Sequence, residues 1–399
     1  MIKYNIKHTK GKPYWYDPDT VNGLPNVNAS DIEKVAHISN ISYECFFTNY
    51  MKANKPCILS SSFTENWKSR SEWITSDGKP NFIFLEKEFG SSVVPVSDCN
   101  NKEYNSQHKE DMVFRDYLNY WRTLNCTTPQ SQCLYLKDWH FQRHYPNYEA
   151  YTIPEYFSSD WLNEFCGTEK DDYKFVYMGP KNTWTPLHAD VYGSYSWSTN
   201  IGGRKRWVLF PPGEEEFLKD KQKNLPYFLT DDDLIKCNVS FFDIIQEAGE
   251  IIFVPSGWYH QVWNIEDTIS INHNWFNSCN IHYIWHCLHK SALDVEKELS
   301  DCKSADDWEN MCQDVLKELH GLDYENFLQI LKFIFEIRSK DFQAYAVNWL
   351  QLHDIMAIES VCSKIISSEL PEKVTLKAKI LKQNVIQLLS KTEEKYHLS

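Results

Sequence analysis

The sequence predicts an α+β protein with a mainly β core and a separate α-helical region towards its C-terminal end. Between Cys133 and Asn277, short runs of β-branched and aromatic residues are separated by turns, a pattern typical of a β-sandwich or barrel. After Asn277, apolar residues recur every three or four positions, which is the spacing of amphipathic helices. Aromatic residues make up 15% of the 399 residues, a content that suits a β-rich core with a concave binding site.

Composition and charge exclude several classes of protein. The net charge of −14 provides no basic field, so we expect neither nucleic acid nor an anionic membrane as a partner. The 12 cysteines include no C-x-x-C pair, which argues against a zinc ribbon. The N-terminal stretch lacks the apolar segment of a signal peptide, and no run of 18 apolar residues occurs. We therefore expect a reduced intracellular protein and take the cytoplasm as its location.

The first third of the chain is expected to support the β core. Residues 1–30 are polar and rich in turn formers, which indicates an extension, whereas 31–133 are expected to form an α/β support region. The predicted elements of that region are a helix over 31–54 with Ser30 as its N-cap, a strand at 57–59, a helix at 67–73, a strand at 81–90, a strand at 91–99 and an amphipathic helix over 111–124.

Two further regions follow. Residues 134–276 are the predicted β domain, interrupted at 214–235 by a charged insertion with a short helix. Residues 277–399 are the predicted helical region, with helices near 281–299, 307–320, 323–338, 341–366 and 372–390. The apolar stripe of the first of these helices either packs on the chain's own β core or mediates dimerisation, so the oligomeric state stays open.

Three side chains have the types and spacing of a metal site. His188 and Asp190 are two residues apart in a strand-like stretch, and alternate residues of a strand point to the same face. His260 ends a second strand-like run, where the alternative is a core histidine bonded to the backbone. Two imidazoles and one carboxylate form the facial triad of non-haem Fe(II) oxygenases. Zinc accepts the same ligands, but a zinc hydrolase also needs a positioned glutamate base.

Lys205 is the candidate for binding an anion near that metal. Alternation places it on the same face as Trp207 and Leu209, which would be the interior of the barrel. A buried lysine is costly unless an anion meets it, although the side chain could instead reach the surface. Thr185, three residues before His188, offers a hydroxyl to the same anion.

Together the motifs T-P-x-H-x-D, K-R-W-x-L-F-P-P and G-x-x-x-F-V-P-S-G-W-x-H resemble those of the JmjC-domain 2-oxoglutarate oxygenases. The resemblance implies a double-stranded β-helix, a cupin-like jelly roll, over 134–276. It implies Fe(II) bound by His188, Asp190 and His260, with 2-oxoglutarate and O2 as co-substrates. The implied contacts of 2-oxoglutarate are Lys205, Thr185, Tyr135 and Asn274. Lys137 and Ser196 stand at positions whose residue type varies in the family.

The resemblance also implies a reaction. Oxidative decarboxylation of 2-oxoglutarate to succinate and carbon dioxide would be coupled to hydroxylation of a protein. The stretch HADVYGSYSWSTNIGGRKRWVLFPPGEEE is most similar to family members for which the implied activity is lysyl C-hydroxylation of eukaryotic release factor 1, the translation termination factor. One alternative is an N-methyl-lysine demethylase or a hydroxylase of another residue. A second alternative is an inactive β-helix that serves as a binding scaffold.

Overall fold

The computed structural model describes residues 34–104, 106–124, 132–167, 173–237, 239–340 and 348–397. The expected extension at 1–30 and the proposed cap Ser30 therefore lie outside the described residues. The chain divides into a β-rich unit that ends at Phe276 and a helical unit that begins at Asn277. None of the described helices is both long and apolar enough to cross a membrane.

The strands of the β-rich unit form two sheets. In chain order, the described strands are β1 Ala36–Ile38, β2 Cys57–Leu59, β3 Val93–Glu103, β4 Ser106–Val113, β5 Leu134–Trp139, β6 Lys174–Gly179, β7 Trp184–His188, β8 Tyr195–Gly202, β9 Lys205–Phe210, β10 Phe242–Gln246, β11 Ile251–Val254, β12 Tyr259–Asn264 and β13 Thr268–Trp275. The larger sheet has the order β1-β2-β11-β8-β13-β6-β5-β3-β4, and the smaller has the order β10-β9-β12-β7. All pairs are antiparallel except β1 with β2.

The two sheets pack face to face through apolar side chains. Ile252 and Val254 of β11 belong to one buried cluster with Trp207 and Leu209 of β9 and with Val262 of β12. Side chains that alternate inwards from both sheets thus fill a common interior. This arrangement confirms the predicted β core and its jelly-roll architecture, in which β6, β8, β11 and β13 lie in the larger sheet and β7, β9, β10 and β12 in the smaller.

Short helices accompany the sheets. They are α1 Tyr43–Phe46, α2 Lys68–Glu72, α3 Phe82–Phe89, α4 Phe114–Thr123, α5 Phe141–His144, α6 Trp161–Cys166 and α7 Asp231–Lys236. The predicted helix over 111–124 is confirmed from Phe114 onwards, and its buried face consists of Phe114, Tyr117, Leu118 and Trp121. The charged insertion contains a 3-10 turn at Glu214–Leu218 and α7.

Two predicted elements of the support region are wrong. The continuous helix over 31–54 is replaced at Ala36–Ile38 by β1, because this segment pairs with Cys57–Leu59, and the helix begins only after its N-cap Ser42. The predicted strand at 81–90 is the helix α3. Asn81 caps α3 by accepting a hydrogen bond from the Phe84 N–H, so local capping outweighed the aromatic content that favoured a strand.

The helical unit consists of five longer helices within its described residues. They are α8 Ile281–Glu298, α9 Trp308–His320, α10 Tyr324–Lys340, α11 Trp349–Ser367 and α12 Glu372–His397. The apolar stripe of α8 is buried, and the ring of Trp285 lies 5.4 Å from Tyr324 and 5.6 Å from Phe327 of α10. Part of the predicted helix at 341–366 lies outside the described residues.

Candidate metal and co-substrate site

The pairing of β7 with β12 brings two histidines together. His188 ends β7 and lies directly opposite His260 in β12, with the ring centroids 4.3 Å apart. Asp190 follows β7 with an extended backbone and begins the turn that leads to β8. The nitrogen and oxygen ligand atoms of these three residues all lie within 4.8 Å of one another. Within the part of the chain that the structure describes, these are the three residues whose ligand atoms lie close enough together to hold one metal ion.

Backbone carbonyls fix both imidazole rings. The Nδ1 of His188 lies 2.8 Å from the Pro186 carbonyl oxygen, and the Nδ1 of His260 lies 3.0 Å from that of Trp258. Because a carbonyl only accepts, each ring donates its Nδ1–H and keeps a lone pair on Nε2. Burial and the neighbouring His260 lower the pKa of His188 to about 4. The imidazole of His188 is therefore neutral at physiological pH, as a metal ligand must be.

Two side chains orient the carboxylate of Asp190. The hydroxyl of Ser196 donates to Oδ2 at 2.7 Å, and Nδ2 of Asn274 donates to Oδ1 at 2.9 Å. The same amide lies 3.1 Å from the Ser194 hydroxyl. Such outer partners commonly hold a metal-binding carboxylate in its orientation. Asn274, expected near the co-substrate, thus contacts the carboxylate of the candidate metal site.

The three ligands fit a metal that requires open coordination positions. Two imidazoles and one oriented carboxylate supply three donors, and a facial triad of this kind leaves sites for other ligands. The donor set contains no thiolate, so it does not resemble a closed structural zinc site.

Lys205 lies in the interior of the barrel and is 2% exposed. Its ammonium group donates to the hydroxyl of Tyr135 at 3.5 Å and lies 6.0 Å from the centre of the Tyr177 ring. Within the described residues, no carboxylate pairs with it, and burial alone lowers its pKa to about 7. A buried ammonium without a counter-ion indicates a site for an anion.

Further polar groups on the same interior face lack partners. Ser198 of β8 lies opposite Asn272 of β13. Ser198 comes two residues after Ser196, and Asn272 two residues before Asn274, so both point to the same face as these partners of Asp190. Neither the Ser198 hydroxyl nor the Asn272 amide nitrogen makes a hydrogen bond within the described protein. The same holds for the hydroxyl of Ser270. Buried donors and acceptors normally have partners, so this lining fits an oxygen-rich ligand.

A glycine makes room for Tyr135. A Cβ at Gly179 would lie 2.5 Å from the Tyr135 ring, closer than non-bonded carbon atoms approach. Sequence reasoning missed Gly179, Ser198 and Asn272, because strand register is needed to see that they share a face with Tyr135.

The remaining predicted positions lie on the strands around this interior. Thr185 lies in β7 opposite Val262 of β12 and is half-buried. Lys137 follows Tyr135 on the same face of β5 and is 9% exposed; its ammonium group donates to Gln107 at 2.7 Å. The structure therefore brings together His188, Asp190 and His260, and separately Lys205 and Tyr135.

Comparison with known proteins supports a common origin. The JmjC domain family, described as a hydroxylase domain, matches residues 175–275, which contain the three candidate ligands and Lys205. A protein named 2-oxoglutarate and iron-dependent oxygenase JMJD4 from Gallus gallus is 48% identical over 319 residues, which cover 77% of this chain and 75% of that protein. The protein of the same name from Danio rerio is 48% identical over 335 residues, or 81% of this chain and 79% of that protein.

A differently named relative is also similar. Arginine-specific demethylase JMJ20 from Arabidopsis thaliana is 40% identical over 310 residues, which cover 72% of this chain and 66% of that protein. All three alignments extend well beyond the residues of the domain match, and each covers about two thirds or more of both proteins. With its jelly-roll fold and its triad of possible ligands, this chain belongs to the JmjC-domain oxygenase family.

Proposed function

We propose that this protein is an Fe(II)- and 2-oxoglutarate-dependent protein hydroxylase that oxidises a lysyl carbon of a translation termination factor, eukaryotic release factor 1. The observation that carries the oxygenase proposal is the coexistence, in one barrel interior, of the His188–Asp190–His260 group with the unneutralised ammonium of Lys205. The proposed catalytic domain is 134–276, and the proposed location is the cytoplasm, where translation terminates.

In this proposal, Nε2 of His188, Nε2 of His260 and the carboxylate of Asp190 hold Fe(II). The iron supplies activation of O2 when it is bound. Asp190 contributes one negative charge and is kept in its orientation by Ser196 and Asn274. Both histidines stay in one tautomer because their Nδ1–H groups are bonded to carbonyls.

Lys205 and Tyr135 would bind the distal carboxylate of 2-oxoglutarate, with Thr185 as a further hydroxyl donor. The dianion neutralises the buried ammonium group and accepts hydrogen bonds that are charge-assisted. Asn274 would lie at the other end of the co-substrate, near the metal. Because burial lowers the pKa of Lys205 to about 7, its amine is mostly protonated below that pH even before the anion binds.

The protein substrate is supported by similarity. The stretch from His188 to Glu216 is most similar to family members whose implied activity is hydroxylation of a lysine in the release factor, and relatives named as oxygenases align with most of this chain. The intact set of His188, Asp190, His260 and Lys205 argues against an inactive scaffold, because a scaffold has no need for these residues.

The experiment that tests the proposal incubates the purified protein with Fe(II), 2-oxoglutarate, ascorbate and the release factor, followed by peptide mapping by mass spectrometry. We expect one lysine to gain the mass of one oxygen atom, together with stoichiometric succinate. The variant His188→Ala serves as the inactive control. Succinate formation without any modified lysine would retain the oxygenase and refute the proposed substrate.

A second candidate function is demethylation, which is favoured by the similarity to the Arabidopsis protein named as an arginine-specific demethylase. Demethylation predicts release of formaldehyde and loss of a methyl group from methylated arginine or lysine peptides. The hydroxylase proposal predicts turnover of an unmodified lysine without formaldehyde. Assays of both peptide types with the same enzyme preparation therefore separate the two activities.

A further inference from the structure

Two cysteines lie opposite each other on neighbouring strands. The antiparallel pairing of β3 with β5 places Asp98 opposite Leu134, so the next pair along the ladder is Cys99 with Cys133. The Cys99 N–H donates to the Cys133 carbonyl oxygen at 2.8 Å. Directly opposed residues of this kind have Cα atoms about 5.5 Å apart, inside the range of about 4.4–6.8 Å that disulfides span.

The two thiol groups interact with each other. A contact between the two thiol groups lowers the pKa of Cys99 and raises the pKa of Cys133. Cys99 is 4% exposed, whereas Cys133 is half-buried and reachable from solvent. Both are reduced in the structure. A low-pKa thiol beside a second thiol is the usual composition of a redox-sensitive pair.

The pair borders the candidate co-substrate site. Cys133 lies two residues before Tyr135 on the same face, and the charge of Cys99 influences the Tyr135 hydroxyl. The thiol of Cys99 also lies 3.5 Å from the carbonyl oxygen of Trp184, the residue that begins β7 and precedes Thr185. The Cys133 thiol lies 3.7 Å from the Asn182 carbonyl oxygen. Cys99 thus contacts the start of β7 from β3, and Cys133, just before β5, contacts the segment that leads into β7.

We propose that Cys99 and Cys133 form a reversible disulfide that lowers the affinity of the site for 2-oxoglutarate. The oxidant is a hydroperoxide. It converts one thiol to a sulfenic acid with release of water from hydrogen peroxide or of the alcohol from an organic hydroperoxide. The second thiol then displaces hydroxide, which leaves as water with the thiol's proton. The two sulfur atoms together lose two electrons, and the O–O bond of the peroxide takes them up. The effect on affinity rests on the proposed function, whereas disulfide formation does not.

The expected effect on affinity follows from the contacts that oxidation removes. A disulfide has no S–H donors, so the contacts to the Trp184 and Asn182 carbonyls are lost. The sulfur atoms must also approach to about 2.05 Å, so both side chains turn towards each other and away from these carbonyls. Tyr135 lies two residues after Cys133, so we expect the lost contacts to shift its hydroxyl relative to the ammonium of Lys205. Cytosolic disulfides are typically transient and regulatory, as this bond would be.

The test uses the full-length protein, treated with hydrogen peroxide or left reduced. Peptide mapping under non-reducing conditions identifies cross-links, and calorimetry with Mn(II) in place of iron measures 2-oxoglutarate binding without turnover. We expect a Cys99–Cys133 cross-link that dithiothreitol removes, and an affinity that falls on the order of fivefold upon oxidation, the loss of about one hydrogen bond. In Cys133→Ser, peroxide should leave the affinity unchanged. Cys302→Ser, which alters an exposed cysteine of the helical unit, should behave like the wild type.

The possible results are distinguishable. A cross-link to another cysteine, or none after peroxide treatment, overturns the proposed disulfide. A Cys99–Cys133 bond with unchanged 2-oxoglutarate affinity overturns its regulatory effect. If the reduced protein fails to bind 2-oxoglutarate at all, the proposed function fails, while the mapping result still decides the disulfide. Cys133→Ser is preferred to Cys99→Ser, because the half-buried position tolerates a hydroxyl more easily than the interior does.

Discussion

The ammonium group of Lys205 lies 3.5 Å from the hydroxyl of Tyr135 and has no carboxylate partner among the described residues. A lysine that is 2% exposed pays a desolvation penalty that one neutral hydroxyl does not offset. The fold therefore carries a local instability that an anion would relieve. The stability of the protein and its binding of an anion are therefore linked, and the role of Lys205 can be measured through the melting temperature and through the affinity for 2-oxoglutarate.

Replacing Lys205 by methionine should separate binding from stability. The apolar side chain removes the unpaired buried charge, so we expect the melting temperature of the ligand-free protein to rise. The affinity for 2-oxoglutarate should fall by at least about tenfold, because charge-assisted hydrogen bonds are lost. Thermal unfolding and calorimetry with Mn(II) give the two quantities. Arg204→Met, at a half-buried residue paired with Glu247, is the control and should change the melting temperature and the affinity only slightly. A variant Lys205→Met that binds normally would show that this lysine is structural.

The affinity for 2-oxoglutarate should depend on pH. Burial lowers the pKa of Lys205 to about 7, and the complex requires the protonated form. Above pH 7, binding must therefore take up a proton, and the affinity should fall by up to about tenfold per pH unit. Calorimetry in buffers of different ionisation enthalpy counts the protons. An uptake near zero at pH 8 would contradict the proposed contact between Lys205 and the co-substrate.

The lowered pKa of Lys205 also makes the stability of the folded protein depend on pH. In the unfolded chain, Lys205 keeps its ordinary pKa of 10.5, whereas the folded value is about 7. Between these values the unfolded state binds more protons, so the stability of the ligand-free protein should rise with pH in that window. The penalty is complete below pH 7 and absent above pH 10.5. Comparison with Lys205→Met by chemical denaturation isolates this contribution, since the variant lacks it.

Ser196 and Asn274 should control the affinity for the metal. Each donates one hydrogen bond to the carboxylate of Asp190, and loss of such a partner typically weakens metal binding by about 10–100-fold. We expect Ser196→Ala and Asn274→Ala to raise the dissociation constant of Mn(II) or Fe(II) within this range. Ser194→Ala is a matched control, because Ser194 contacts the amide of Asn274 and not the carboxylate. Equal metal affinity in all three variants would refute an orienting role.

The sequence predicted the strands of the core and the pair of His188 and Asp190 because both follow short-range rules. Alternation identified His188, Asp190 and the inward position of Lys205, and the end of a second strand-like run identified His260. The resemblance then joined the four residues into one site. The helix α3 was misread as a strand since its aromatic residues suggested burial, although Ile83 is 81% exposed. The segment Ala36–Ile38 became a strand through pairing with β2, a tertiary contact that helical spacing does not reveal.

The polar side chains of the barrel interior that lack hydrogen-bond partners also depend on contacts that the sequence does not reveal. Ser198 and Asn272 are ordinary polar residues in the sequence, and only the register of β8 with β13 places them on the face of Ser196 and Asn274. The opposition of Cys99 and Cys133 likewise depends on the register of β3 with β5. Register is set by the hydrophobic pattern of both partners and by the intervening connections, so it cannot be read from either strand alone.

Gly179 offers a test of the pocket that leaves the identity of every proposed metal ligand and co-substrate contact unchanged. In Gly179→Ala, the new methyl group would meet the Tyr135 ring at 2.5 Å and the Thr183 hydroxyl at 2.8 Å. Overpacking of this kind costs about 1–3 kcal/mol, and the displaced Tyr135 should weaken 2-oxoglutarate binding while metal affinity stays unchanged. Gly202→Ala is the matched control, because its methyl group meets the far end of the flexible Ile74 side chain at 2.4 Å. Gly202→Ala should bind 2-oxoglutarate normally, since Ile74 contributes no group to the pocket. Equal loss of affinity in both variants would indicate general destabilisation and would remove the support for Tyr135 as a co-substrate contact.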